Sequence, residues 1–452
     1  MTKSTKYDIC IVGAGVAGSA LASYLSNQGL TIAIIDQNWE EPDEIIGELL
    51  QPSGALKLRE MGLADFSEGF DAQPIKGYGL YLNGDSFNIP YSDQKDNDKT
   101  GYGFRYGRFV QKLRSYLKDK DHIHLINGKV IDLIYDGAQL EGVIYQDKLS
   151  NQKKKLKATL TILSQGSSVR LTKDLTKAKI DTKGFMLGLI LENCELPYPN
   201  HGHVIIAKPG PILAYPVTSN KIRVLIDFPK YYENPRGMEM KTYLREKIGP
   251  QIPEIMRKSF YEAVEKENYK TKPTCLLPAK PILIKGAILL GDSLNQRHPT
   301  TGGGMTVALT DVKALGDLII KNSKKGFEKN LGIISREFYE SRYKENATIN
   351  ILAYALYSVF RHPVLSKACF DYLQRGGKFA LEPMSILSGL SRDRKLLIRH
   401  FFMVAWFAVK NMLKPKPTLS RIGDSIKIMR DAIAIIVPLL LHEKPAIYST
   451  NK

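Results

Sequence analysis

The chain has 452 residues, 43% hydrophobic and 24% charged, which excludes a disordered or fibrous protein and suggests two or three folded domains. Lysine and arginine outnumber aspartate and glutamate by 64 to 46, a formal charge of +18 that favours an anionic partner, either nucleic acid or acidic lipid. Four scattered cysteines, Cys10, Cys194, Cys275 and Cys369, argue against a disulfide framework or a zinc site, so no metal is expected.

The first segment, MTKSTKYDICIVGAG, enters a strand at once and lacks the apolar region of a signal peptide. The run Ile9–Val12 suits a strand buried on both faces, and SALASYLSNQGL has helical spacing that stops at Gly29. TIAIID then gives a second parallel strand. Between them GAGVAG places Gly13, Gly15 and Gly18 at G-x-G-x-x-G spacing. The first permits a tight turn, the second admits a pyrophosphate to the backbone, and the third lets helix and strand pack closely. The helix N-terminus, with Val16 and Ala17, offers free N–H groups to the phosphates. Asp36 ends the second strand, where it accepts from ribose hydroxyls and repels a 2′-phosphate. FAD and NAD both fit this pattern; NADP does not.

Residues 77–91 and 203–229 show short β-rich runs parted by Pro, Gly and Asn, as in an antiparallel sheet. Strands joined by polar turns also fill 125–163. The Lys153–Lys155 run reads as a solvated hairpin tip, and no aromatic residues interleave with it, so a nucleic-acid partner is not expected. Further on, KGAILLGD reads as an apolar strand ending in Gly291–Asp292. The stretch RHPTTGGGMTVALTD places Gly302, Gly303 and Gly304 before a helix. Three glycines at a helix start cost stability, about 1 kcal/mol each relative to alanine inside a helix. They make room for a flat ring, whose reduced, negative form a helix N-terminus stabilises. His298, just before them, reads as a loop-shaping residue. Beyond Thr306 the chain is mainly helical. Segment 391–430 carries ten Lys or Arg against two Asp beside short apolar runs that include 401–409 and 432–441. Such helices suit insertion to the depth of one leaflet; a helical hairpin buried in the core is the alternative.

The late Gly-Asp motif resembles that of FAD-dependent monooxygenases of the aromatic-hydroxylase type. GELLQPSG (47–54), GRFVQKLR (107–114), GDSLNQRHPTTGGGMTVAL, NILAYALYSVF (350–360), KACFDYL (367–373) and HFFMVAWFAV (400–409) are similar to the squalene monooxygenase, or squalene epoxidase, family. The similarity runs from about Tyr7 to about Leu441. It implies an α/β fold with a Rossmann-like FAD-binding domain (1–76, 105–172, 281–345), an antiparallel β-sheet substrate domain (77–104, 173–280) and a C-terminal helical membrane-associated region (346–452).

By the same resemblance, Val16, Ala17, Asp36 and Gln37 border the adenosine half of FAD. Glu44, Leu49, Arg114, Val130, Asp292 and Met305 fall at other flavin-contact positions, and Gln51 and Tyr78 at the substrate pocket; Gly303 is a cofactor-binding candidate from the glycine triplet alone. Tyr78 reads equally well as a half-buried sheet aromatic, and Arg108 and Arg114 as ion-pair partners. Gln37 and Glu44 stand where the family usually has arginines, and Gln165 replaces the aspartate of an Asp-Gly motif, departures that imply weaker FAD retention. The activity implied is epoxidation of squalene or a related polyprenoid by dioxygen to 2,3-oxidosqualene, through a flavin hydroperoxide that requires no acid–base pair from the protein. NADPH supplies electrons through a flavoprotein reductase. The location implied is the cytoplasmic face of a membrane, endoplasmic reticulum in a eukaryote or inner membrane in a bacterium. The alternatives are a flavin monooxygenase or reductase acting on another prenyl lipid, or a catalytically impaired membrane flavoprotein.

Overall fold

The computed structural model describes residues 6–92, 99–168, 170–230, 239–323, 326–415 and 417–443; the ends of the expected first and last segments, 1–5 and 444–452, lie outside them. Five parallel strands form the first sheet, in the order Ile123–Asp136, Ile32–Asp36, Tyr7–Val12, Lys153–Leu163, Ala287–Leu289. Ile9 to Val12 are at most 4% exposed, packed in one core with the helix Val16–Leu25 and with Leu140, Val143 and Tyr145. The helix Val16–Leu25 ends four residues before Gly29, which instead sits in the following turn at φ +70. It packs against the helix Gly304–Ser323, where Gly316 leaves room for the Tyr24 ring.

Two strands of this sheet do double duty. Ile123–Asp136 continues past Asn127 into an antiparallel ladder with Gln139–Asp147, and the first half of Lys153–Leu163 completes it. Lys153–Lys155 are therefore the exposed first residues of a strand, paired with Gln146, Tyr145 and Ile144, and the hairpin tip lies just before them.

The second sheet has seven strands, in the order Lys270–Leu276, Asp181–Glu192, Lys221–Pro229, Ile212–Thr218, Gly202–Ile205, Gly77–Leu82, Asp85–Pro90. The sheet is antiparallel at five of its six pairings; at the sixth, Gly202–Ile205 runs parallel to Gly77–Leu82. The chain leaves the sheet between those strands and re-enters from the same end, which a tight hairpin does not permit. One face of this sheet packs on the helix Glu254–Glu265. The other packs on the helices Pro363–Gln374, Lys378–Leu387, Arg394–Met412 and Leu419–His442, with Phe87 edge-on to Phe370 at 4.8 Å between centroids. The helix Leu331–Arg361 joins the two halves: Leu331, Ile334 and Phe338 enter the first core, and Ile351, Ala355 and Val359 the second. The expected boundary at 345/346 thus falls inside one continuous helix. Among the described residues, no helix is long and apolar enough to cross a membrane.

Candidate active site

The three glycines of the first turn differ in the space around them. A Cβ on Gly13 (φ +102) would stand 2.6 Å from the Ser164 carbonyl oxygen, and one on Gly18 only 1.9 Å from that of Gly13. Both are filled by protein. At Gly15, the N-cap of the helix Val16–Leu25, a Cβ would meet nothing closer than the Tyr106 hydroxyl at 3.7 Å. The open space is therefore where a dinucleotide's pyrophosphate belongs, against free N–H groups. Asp36 accepts from the Ala14 amide at 2.6 Å and the Asn38 amide at 2.8 Å, which fixes its carboxylate at the lip of this turn. Arg114, 7% exposed, donates to the carbonyls of Ala14, Asn38 and Glu40 and lies over the Trp39 ring. It braces the loop with its charge, and burial holds its pKa below the usual guanidinium value.

The late glycines come to the same place. A Cβ on Gly291 (φ +62) would stand 3.2 Å from that of Ala17, so the Gly291–Ser293 turn abuts the first turn of the dinucleotide helix. Asp292 meets solvent in the cleft while protein surrounds its carboxylate on the other sides. Burial raises its pKa, and Arg297 and Lys272 partly offset the shift. Gly302, at φ +61, leaves room for Leu49 and Gln51, which a Cβ would approach to 3.0 and 3.1 Å. Gly303 is pressed by Ile349, and Gly304 opens the next helix with Met305 buried behind it. Arg297 holds that helix start by donating to the Gly304 carbonyl and to Asn350.

Gln51 is fully buried and is the hub between cleft and pocket. Its amide nitrogen donates to the Tyr78 hydroxyl (2.7 Å) and the Thr301 carbonyl (2.6 Å), and its oxygen accepts from the Tyr91 hydroxyl (2.7 Å). Desolvation raises the pKa of both tyrosines, so both stay neutral donors. Tyr78 and Thr300 then line an apolar cavity enclosing about 930 Å³ of space free of protein atoms, its open mouth included. Ile89, Leu352, Phe360, Met384 and Phe401 form much of its wall. One polar chain interrupts that wall: the Tyr372 hydroxyl meets His400 Nδ1 at 2.7 Å, and His400 Nε2 meets Glu382 at 2.7 Å, tying three tail helices together. His298 bonds Thr300 at 2.5 Å and Asp227 at 3.2 Å and stacks on Tyr357, which shapes the loop before the glycines. Burial lowers its pKa, so it is neutral there.

The other residues singled out in the sequence lie outside the first glycine turn. Glu44 is paired with Lys272 at 2.6 Å on the rim. Gln37 is exposed just past its strand, and Val130 is half-buried three residues beyond Asn127, the register partner of Asp36. Arg108 pairs with Glu41 at the surface. Gln165 turns to the Ser168 carbonyl. Three features were missed in the sequence: Tyr106 over Gly15, Tyr91 on Gln51, and the buried pair of Glu48 with Arg223 (2.6 and 3.1 Å), which ties the 47–54 segment to the second sheet. Tyr106 and Glu48 lie beside or inside the GRFVQKLR and GELLQPSG segments, the signal available for them.

A family model described as squalene epoxidase matches residues 157–424, and one described as an NAD(P)-binding Rossmann-like domain matches 11–40. Squalene epoxidase 3 of Arabidopsis thaliana is 41% identical over 447 residues, covering 97% of this chain and 85% of that protein. The chain belongs to the squalene epoxidase family. Squalene monooxygenase of Mus musculus is 35% identical over 451 residues, covering 97% and 78% of the two chains. A flavoprotein/dehydrogenase from Cytophaga hutchinsonii shares the fold, with a TM-score of 0.73 at 18% identity over 90% of this chain and 100% of that one. As a squalene epoxidase family member, the chain is an FAD-dependent monooxygenase. The cleft leaves space for such a cofactor at Gly15 and at Gly304, where a Cβ would meet nothing closer than 3.7 Å, whereas Leu49, Gln51 and Ile349 fill the space at Gly302 and Gly303.

Proposed function

We propose that this chain epoxidises a terminal double bond of squalene, or of a closely related polyprenoid, to 2,3-oxidosqualene. The observation that carries this reading is the single hub of Gln51 and Tyr78, shared by the glycine-lined cleft and the apolar cavity. FAD, when bound, supplies the activation of dioxygen. The protein's own part is to bind, orient and exclude water. Gln51 holds the Thr301 carbonyl and so fixes the loop of Gly302–Gly304 against the cavity. Tyr78 accepts from Gln51 and closes the polar side of the cavity with its ring. The apolar wall binds a hydrocarbon through burial alone, worth roughly 25 cal/mol per Å² removed from water, and keeps the reacting end dry.

A substrate without a polar handle arrives from lipid, and the tail supports that route. Trp406 is 62% exposed on the helix whose Phe401 and Val404 line the cavity. Leu419, Ile422, Ile426, Ile433, Val437 and Leu441 form an exposed stripe on the last helix at helical spacing, while Ile428, Ala432 and Ile436 face the core. Arg430 interrupts the stripe and Lys427 is exposed on the same helix, cations suited to anionic headgroups. Electrons from NADPH through a partner reductase complete the reading, at a cytoplasmic membrane face.

The test is product analysis: FAD-loaded protein, squalene in vesicles, NADPH and a flavoprotein reductase should yield 2,3-oxidosqualene. A flavin-loaded sample that makes none, but oxidises or reduces another prenyl lipid, would replace this reading.

A further inference from the structure

We propose that Tyr106 is a pyrophosphate-binding residue, its hydroxyl donating a hydrogen bond to the diphosphate bridge of FAD above Gly15. The inference rests on FAD being the bound cofactor and adds a residue that neither the glycine motif nor the family resemblance named.

Tyr106 is the first residue of the helix Tyr106–Ser115, the helix that also carries Arg114. Its ring rests against Gly47 (φ +89), where a Cβ would press its edge at 3.0 and 3.2 Å, so the absence of a side chain at 47 sets the ring's place. That place puts the hydroxyl 3.7 Å from the Cβ position of Gly15, the one glycine of the motif with open space above it. Among the described residues, the Tyr106 hydroxyl makes no hydrogen bond. A half-buried phenol aimed at an anion site and lacking a protein partner is a donor in waiting.

The charges around it explain why a neutral donor is useful. Burial, then Asp292, Glu44 and Asp36, raise the pKa of Tyr106 while Arg114 partly offsets them, so the hydroxyl keeps its proton across the neutral range. The same three carboxylates repel a diphosphate. The Arg114 guanidinium is committed to three backbone carbonyls. The helix dipole at Val16 and an uncharged hydroxyl then remain to hold the bridge, where Gln37 and Glu44 supply no cation.

The experiment compares wild-type protein with Tyr106→Phe by titration with FAD and with riboflavin, which lacks the diphosphate, alongside thermal melting of the unliganded proteins. Tyr106→Phe should weaken FAD about tenfold or more, leave riboflavin unchanged and leave melting within the wild-type range. Unchanged or tighter FAD binding would overturn the proposal, since the tyrosine would then only fill or obstruct the space. Equal weakening of both flavins would overturn it too, as the sign of a packing role. Wild-type protein that binds neither flavin would remove the cofactor reading itself, and the proposal with it.

Discussion

Gly291 and Ala17 stand so close that a Cβ on the glycine would lie 3.2 Å from the Cβ of the alanine, although 274 positions separate them. This contact joins the dinucleotide turn to the late Gly-Asp turn and makes one cleft of two motifs. The contact exists because Ala287–Leu289 is the next parallel strand beyond Lys153–Leu163, itself hydrogen-bonded to Tyr7–Val12.

Asp292 is held in the cleft at a cost to the unliganded protein. Its folded pKa is raised above the unfolded value of 3.8, so its contribution to stability is complete below about pH 3.8 and is lost as pH rises through the folded value. Asp292→Asn should therefore raise the melting temperature of FAD-free protein at neutral pH, with the gain shrinking toward pH 4, while weakening FAD. Melting curves across pH, paired with flavin titration, check both halves.

Gln165 offers no carboxylate at the loop beside Gly13; its amide instead donates to the Ser168 carbonyl at 3.0 Å. Gln165→Asp should tighten FAD several-fold. An affinity equal to that of the unmodified chain would mean that this departure from the family pattern does not limit cofactor retention.

Gln51→Leu removes the acceptor of Tyr91 and the donor to Thr301 inside a dry site. Unsatisfied buried groups cost about 1–3 kcal/mol each, so denaturant unfolding should show a loss of that order, and epoxidation should slow by at least tenfold. Tyr78→Phe removes the acceptor of one buried Gln51 N–H and should cost about 1–3 kcal/mol, without freeing the Thr301 carbonyl.

Arg223 and Glu48 are both nearly inaccessible, with Arg105 a more distant third partner at 3.6 Å. Arg223→Met strands a buried carboxylate and should destabilise by about 3–5 kcal/mol. Adding Glu48→Leu should restore most of that, a recovery a double-mutant cycle measures directly.

The parts legible in the sequence were those with local signatures. Gly13, Gly15 and Gly18 announced a strand–turn–helix, and the apolar run Ile9–Val12 announced a strand covered on both faces. The parallel entry of Gly202–Ile205 was not legible, because pairing direction depends on where the chain returns and not on alternation within a strand. Tyr106 was hidden for a related reason: its meaning lies in its distance to Gly15, ninety-one positions earlier. The tail was ambiguous because its helices carry two apolar faces. Ile428, Ala432 and Ile436 are buried, while Ile426, Ile433 and Val437 are exposed. Composition sums both faces, and only packing separates them.

The most direct measurement is equilibrium FAD binding, followed by flavin absorbance, in the wild-type chain, Gly15→Val and Gly291→Val. One cleft built from both glycine turns predicts one FAD per chain and severe loss of binding in both variants, with squalene epoxidation lost in parallel. Full FAD occupancy in Gly291→Val would contradict it, since the late turn would then form no part of the flavin site.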